Sequence, residues 1–162
     1  MQSIDFGESE ARVTMPWIII HTDGACPRNG TKRARGGIGV YFGEDDPRNV
    51  SARFADRPTS SRCELAAIFV AFSWILQNGS GRDAPARVVT DSRYAVSSLN
   101  EWIRHWKTNG WKTASGADVK NKEMMQEISG VRDACGCPIE LVHVRRERNA
   151  GADALAVAGA RE

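Results

Sequence analysis

The spacing of apolar residues changes along this chain, and each change marks an element. Trp17 to Thr22 is a β-branched and aromatic run closed by Asp23-Gly24, which predicts a buried strand leaving through a turn. Two further strands are expected near Gly37 to Phe42 and Val50 to Phe54, with turn chemistry in Gly43 to Pro47 between them. From Ser61 the period becomes helical: Leu65, Ile68, Phe69, Phe72, Ile75 and Leu76 share one face, and Gly79-Ser80-Gly81 marks the stop. Ala86 to Thr90 is a short strand, Asp91 or Ser92 caps a helix through Leu99, and Glu101 to Lys107 continues helically. Gly110 to Gly116 breaks the pattern, after which a helix over Asn121 to Ala134, a strand over Pro138 to Val144 and a helix over Ala150 to Ala160 follow. Three strands on short loops predict an antiparallel meander, and helical crossovers then add parallel strands. The expected fold is α/β: a five-stranded mixed sheet flanked by helices; if the first and fourth strands are parallel neighbours, Asp23 and Asp91 leave their carboxyl ends side by side, where such sheets bind ligands.

Composition narrows the picture. With 162 residues and 41% apolar content, one domain with a sizeable core is expected. Residues 1–16 are polar and unpatterned and end at Pro16, so they are read as a flexible tail ahead of a domain at 17–162, too short to fold as an added domain. That tail lacks the basic start and apolar centre of a signal peptide, and no apolar run approaches the ~20 residues of a membrane span. A soluble, intracellular protein without a membrane partner, and a monomer by default, is the expectation. Of Cys26, Cys63, Cys135 and Cys137 only the last two are close, and Cys-Gly-Cys is not zinc-knuckle spacing, so reduced thiols are expected. The net charge of +2 does not announce a nucleic-acid partner; the distribution of charge says more.

Asp23, Glu64, Asp91 and Asp153 each stand where a strand ends or a helix begins. Each has a bland explanation. Asp23-Gly24 is common turn chemistry, Ser61 to Glu64 is a capping-box pattern, Asp91 suits an N-cap, and Asp153 complements a helix dipole. Four acids delivered to one crevice would repel one another unless cations held them together, which points to a divalent-metal site suited to phosphodiester cleavage.

The residues around the acids carry a resemblance. Thr22-Asp23-Gly24-Ala25-Cys26, Arg62-Cys63-Glu64-Leu65-Ala66-Ala67, Val89-Thr90-Asp91-Ser92 and Ala152-Asp153-Ala154-Leu155-Ala156 resemble, in order, the four acid-bearing blocks of type 1 ribonuclease H. Trp102 to Thr113 is similar to that family's basic handle, and the likeness covers roughly Trp17 to Ala160. It implies a ribonuclease H-like fold and a metal-dependent endonuclease that cuts the RNA strand of RNA/DNA hybrids, leaving 5′-phosphate and 3′-hydroxyl ends. It also implies that Asp23, Glu64, Asp91 and Asp153 are catalytic and hold two Mg²⁺ ions, with Mn²⁺ an alternative.

By the same resemblance Gly24, Asn29, Ser60 and Ser61 would contact the RNA strand and sense its 2′-hydroxyls, although the family usually has an amide where this chain has Ser60 and Ser61. Arg57, Thr59 and Asn121 would grip a DNA phosphate, with Trp102 and Tyr94 lining the DNA groove; Trp106 is read as packing. Arg104, Lys107, Lys112 and Lys120, with Lys122, would make the handle a basic face, against only Glu101 and Asp118 nearby. Arg28, Lys32, Arg33 and Arg35 would add a second basic edge.

One departure stands out. Many members carry a His in a glycine-rich loop before the last helix; here Arg145-Arg146-Glu147-Arg148-Asn149 fills a shorter connection, and His143 falls in the strand and is read as structural. The chain therefore resembles the short-loop branch, in which the carboxylates suffice, and Arg145, Arg146 or Arg148 is expected to replace the missing His in part. The competing readings are a hybrid-binding module with weakened catalysis and another nuclease on the same fold.

Overall fold

The computed structural model describes residues 17–79 and 85–162, so the tail read at 1–16 lies outside the described residues. A five-stranded sheet of β1 (Ile18–Ala25), β2 (Gly36–Tyr41), β3 (Val50–Phe54), β4 (Ala86–Thr90) and β5 (Ile139–His143) runs in the order β3-β2-β1-β4-β5. The meander β1-β2-β3 is antiparallel, and β4 and β5 extend it in parallel. The helices are α1 (Ser60–Gly79), α2 (Arg93–Ser97), α3 (Ile103–Asn109), α4 (Lys122–Ala134) and α5 (Ala150–Arg161). A π-helical turn, Ser98–Trp102, joins α2 to α3, and a 3₁₀ turn, Arg146–Arg148, precedes α5.

The helices divide between the two faces of the sheet. On one face α1 buries Leu65, Ile68, Phe72 and Ile75 against Ile20, Val40 and Val88, with Met125 and Ile128 of α4 closing the core. Each such side chain, removed from water, is worth about 1.5–3 kcal/mol. On the other face α5 has no large apolar stripe and presents Ala152, Ala156, Gly159 and Ala160. It can lie directly on the sheet because β2 offers Gly37 and Gly39: a Cβ at Gly39 would sit 2.7 Å from Ala156 N.

Three local expectations change. The first strand does not stop at Thr22; pairing of Asp23 and Ala25 with Gly39 and Gly37 carries it on to Ala25, so Asp23 is a strand residue and not a turn acid. The capping box of Ser61 and Glu64 does not form; Thr59 caps α1, its Oγ1 accepting from Arg62 N at 3.1 Å. At the head of α2 the cap is Ser92, whose Oγ accepts from Ala95 N, and this leaves Asp91 to other uses. All four cysteines are free thiols. No helix among the described residues is long and apolar enough to cross a membrane.

Candidate active site

Strand register, two close backbone approaches and one buried amide assemble the site. Asp23 pairs with Gly39 and points to the same face, where α5 lies; its exposure is 4%. On the opposite face Gly24 leaves room for the backbone of α1 at Cys63 and Glu64, which a Cβ there would strike. Asp91 follows the last residue of β4, and β4 runs parallel to β1 with His21 opposite Val89, so Asp91 leaves the sheet level with Asp23. Ligand oxygens of Asp23, Glu64 and Asp91 all lie within 4.8 Å of one another. Asp153, in the first turn of α5, lines the same cavity of about 500 Å³, together with Ser60 and Arg146.

This concentration of acid is electrostatically unfavourable on its own. Burial, then the charge of Asp91 and that of Asp153, pushes the Asp23 carboxyl up to about 8, despite a 2.9 Å hydrogen bond from Gly24 N–H to Asp23 Oδ1. Burial also raises Glu64, with Asp91 adding to the effect and the Ser92 hydroxyl opposing it. Among the described residues one cation lines the cavity, Arg146, whose Nη2 is 3.9 Å from Asp153 Oδ1 and whose side chain is 80% exposed. An exposed pair of that length supplies little charge compensation. An oxygen-only donor set with an uncompensated negative charge fits a hard divalent cation.

The residues expected around the acids fall into separate groups. Asn29 Oδ1 accepts from Ser60 N at 3.4 Å, which joins the loop after β1 to the head of α1 at the cavity rim. Ser61, expected beside Ser60, instead belongs to a polar cluster with Thr59, Asn121 and Tyr94: Asn121 Nδ2 donates to Ser61 Oγ at 3.4 Å and to Tyr94 Oη at 3.3 Å, and the hydroxyls of Thr59 and Ser61 are 3.3 Å apart. Arg57 pairs with Asp56 at 3.3 Å and extends into solvent. Arg57 and Asn121 both hold left-handed backbone conformations, φ 48° and 59°, which non-glycine residues rarely adopt.

Trp102 is exposed at the end of the π-helical turn and meets the edge of Trp106, which packs on the core with Trp111. The handle is less basic than its sequence suggests. Asp133 of α4 pairs with Lys107 at 3.5 Å, and Asp118 holds Lys112 at 2.6 Å and Lys122 at 3.8 Å, whereas Arg104 and Lys120 are exposed. The three arginines before α5 diverge: Arg146 turns to the carboxylates, and Arg145 and Arg148 line a different cavity.

Asn149 went unread in the sequence. It is 1% exposed, its Nδ2 donates to Thr22 O at 2.9 Å, its Oδ1 lies 3.2 Å from His21 Nδ1, and its backbone O accepts from Asp153 N at 3.0 Å. It ties the start of α5 to β1 one residue before Asp23. Its position four residues ahead of Asp153 was the available signal.

A family model for RNase H matches residues 16–161. Ribonuclease H of Schizosaccharomyces pombe is 40% identical over 147 residues, 89% of this chain and 53% of that protein. Ribonuclease H1 of Mus musculus is 38% identical over 149 residues, 90% of this chain and 50% of that protein. This chain thus spans about half the length of these curated relatives. Among solved structures, LC11-RNase H1 in complex with an RNA/DNA hybrid aligns with a TM-score of 0.66 at 22% identity, over 88% of this chain and 96% of that one. At that identity the likeness is one of fold.

Proposed function

Because the chain belongs to the RNase H family, we propose that it is an endonuclease hydrolysing the RNA strand of RNA/DNA hybrids and leaving 5′-phosphate and 3′-hydroxyl ends. The observation that carries the reading is the convergence of Asp23, Glu64 and Asp91 within 4.8 Å, with Asp153 on the same cavity. These four would hold two divalent ions, Mg²⁺ by preference and Mn²⁺ as an alternative. When bound, such ions lower the pKa of an attacking water and stabilise a leaving oxygen. The protein's part is placement. Gly24 and Gly39 let two helices close on β1, Ser92 steadies Glu64, and Asn149 fixes the segment that carries Asp153.

Substrate roles follow the grouping of the side chains. Gly24, Asn29 and Ser60, at or beside the carboxylate cavity, would meet the RNA strand and its 2′-hydroxyls. Ser61, first assigned to that strand, also touches Thr59 and Asn121, which with Arg57 would hold a DNA phosphate while Tyr94 and Trp102 line the DNA groove. The left-handed backbone at Arg57 and Asn121 supports this, since such conformations collect at ligand clamps. Arg104, Lys107, Lys112 and Lys120 would steer the duplex. Arg146, the cation on the carboxylate cavity, would take the place of the family's loop His by stabilising charge on the phosphate. Every residue invoked lies on one chain, so a monomer suffices.

Incubation of the protein with an end-labelled hybrid, with and without Mg²⁺, tests the reading. RNA cleavage is expected only with metal, and Asp23→Asn should abolish it, with turnover down at least ~10³-fold, while hybrid binding persists. Hybrid binding without any cutting by the unsubstituted chain would instead favour a binding module. Metal-dependent cutting of duplex DNA would favour another nuclease on this fold.

A further inference from the structure

A second cavity, of about 590 Å³, opens beside the carboxylates and plays no part in the scheme above. Arg93, His143, Val144, Arg145, Glu147 and Arg148 line it. Its place is fixed by register: Thr90 of β4 pairs with His143 of β5, and Val144 N–H donates to Thr90 O at 2.9 Å. Arg93 begins α2 two residues after Asp91, Arg145 precedes the 3₁₀ turn and Arg148 ends it. The carboxylates stand at the carboxyl ends of β1 and β4, and this cavity at those of β4 and β5, roughly one strand spacing, ~5 Å, further along the same rim. Asn29 and Ser60 flank the carboxylates from the α1 and β1 side.

Charge and position together mark the cavity: Arg28, Arg35 and Arg161 line another hollow, but there Arg35 donates to Ala160 O and Glu162 O. Arg48, Arg62 and Arg87 each pair with a carboxylate within 4 Å, whereas none of Arg93, Arg145 and Arg148 has such a partner among the described residues, and Glu147 is the one acid in the lining. All three arginines are exposed. Three like charges converging on one open hollow repel one another unless an anion separates them. Guanidinium groups match the geometry of phosphate, to which they can donate in pairs.

We propose that Arg93, Arg145 and Arg148 form a phosphate subsite that grips the cleaved RNA strand about one or two nucleotides beyond the cut, on the side away from Asn29 and Ser60. The subsite rests on the hybrid-nuclease reading and extends it. A single strand laid along the rim meets Asn29 and Ser60, then the carboxylates, then the arginines. The two outer contacts hold it in line over the acids. Arg145 and Arg148 then serve binding, and Arg146 alone faces the reacting phosphate.

The test reads binding in the Asp23→Asn background, so that nothing is cut. Relative to that parent, adding Arg93→Gln, Arg145→Gln and Arg148→Gln should lower the slope of log Kd against log salt by about 2, at ~0.9 per lost phosphate contact, and raise Kd at least about tenfold near 0.1 M salt. Should the combined variant fold poorly, the three single variants should each lower the slope by up to about 0.9. A second arm places one uncharged methylphosphonate at each RNA linkage flanking the cut. One or two linkages on one side should weaken binding by the parent and have no effect in the combined variant. An unchanged slope, or a loss spread evenly over all linkages, overturns the subsite. Cleavage of the hybrid by the unsubstituted chain with Mg²⁺ reports on the function alone: its absence removes both ideas, and its presence beside an unchanged slope rejects only the subsite.

Discussion

At the scale of single residues, Asp23 ties the site to the stability of the whole protein. Its carboxyl sits at about 8 in the folded chain against an ordinary 3.8, chiefly because it is buried and then because Asp91 is near. The folded state therefore keeps a proton that the unfolded chain sheds from about pH 4 upward. The stability due to this proton is complete below the unfolded value and is lost as pH rises through about 8. In EDTA the unfolding free energy should fall between pH 5 and pH 8 by an amount on the order of several kcal/mol, read as a lower urea midpoint, since each tenfold difference in proton affinity is worth about 1.4 kcal/mol. Asp23→Asn should flatten this dependence, and Mg²⁺ should restore stability at pH 8. Equal midpoints at the two pH values would show that the acids are not crowded as described. The four acids were legible in the sequence because their chemistry admits few other residue types and their neighbours follow a pattern. Asn149 was not, because its partners Thr22 and His21 lie 127 and 128 positions away and polar residues before a helix are common.

At the scale of elements, α5 illustrates what a periodicity argument catches and what it misses. Its existence and limits were readable from Ala150 to Ala160, but not the reason a helix of small residues should hold on to a sheet. The reason is Gly39, opposite Asp23, where a Cβ would meet the backbone of α5 at Ala152 and Ala156. Backbone cannot swing aside as a side chain can, so Gly39→Ala should lower stability by about 1–3 kcal/mol, the usual range for overpacking. It should also weaken metal binding by shifting Asp153, readable as a higher Mg²⁺ requirement for cleavage. A variant with unchanged melting temperature and metal requirement would mean that α5 has slack. Both pairing senses followed from the strand-helix-strand rhythm, and the adjacency of β1 and β4, a condition of the sequence reading, is met in the sheet. The errors were local: Asp23-Gly24 resembled a turn because turn chemistry is judged without knowledge of Gly37 and Gly39, and Ser61 resembled a cap because Thr59 two residues earlier offers the same hydroxyl. The π-helical turn has no sequence signal of its own, yet it ends on Trp102, 47% exposed.

At the scale of the whole molecule the proposed function raises the question of how a chain of net charge +2 would attract a polyanion. The charge is unevenly spread, with acids gathered at the carboxyl ends of β1 and β4 and cations along the handle and before α5. Folding then neutralises part of the handle, because Asp118 holds Lys112 at 2.6 Å and Lys122 at 3.8 Å, and Asp133 holds Lys107 at 3.5 Å. Such exposed pairs are weak, and a phosphate can compete for the lysines. Removing the intramolecular competitor should therefore help the duplex. Asp118→Asn should lower Kd for a hybrid by roughly two- to fivefold at ~50 mM salt, with the gain fading toward ~0.5 M as screening sets in. The rate of cutting at saturating hybrid should stay as it was, since Asp118 belongs to the handle and not to the carboxylate cavity. Fluorescence anisotropy across a salt series measures the first effect and single-turnover cleavage the second. If Kd does not move, the lysines that Asp118 holds do not reach the duplex, and the handle engages it through Arg104, Lys120 and Trp102 instead.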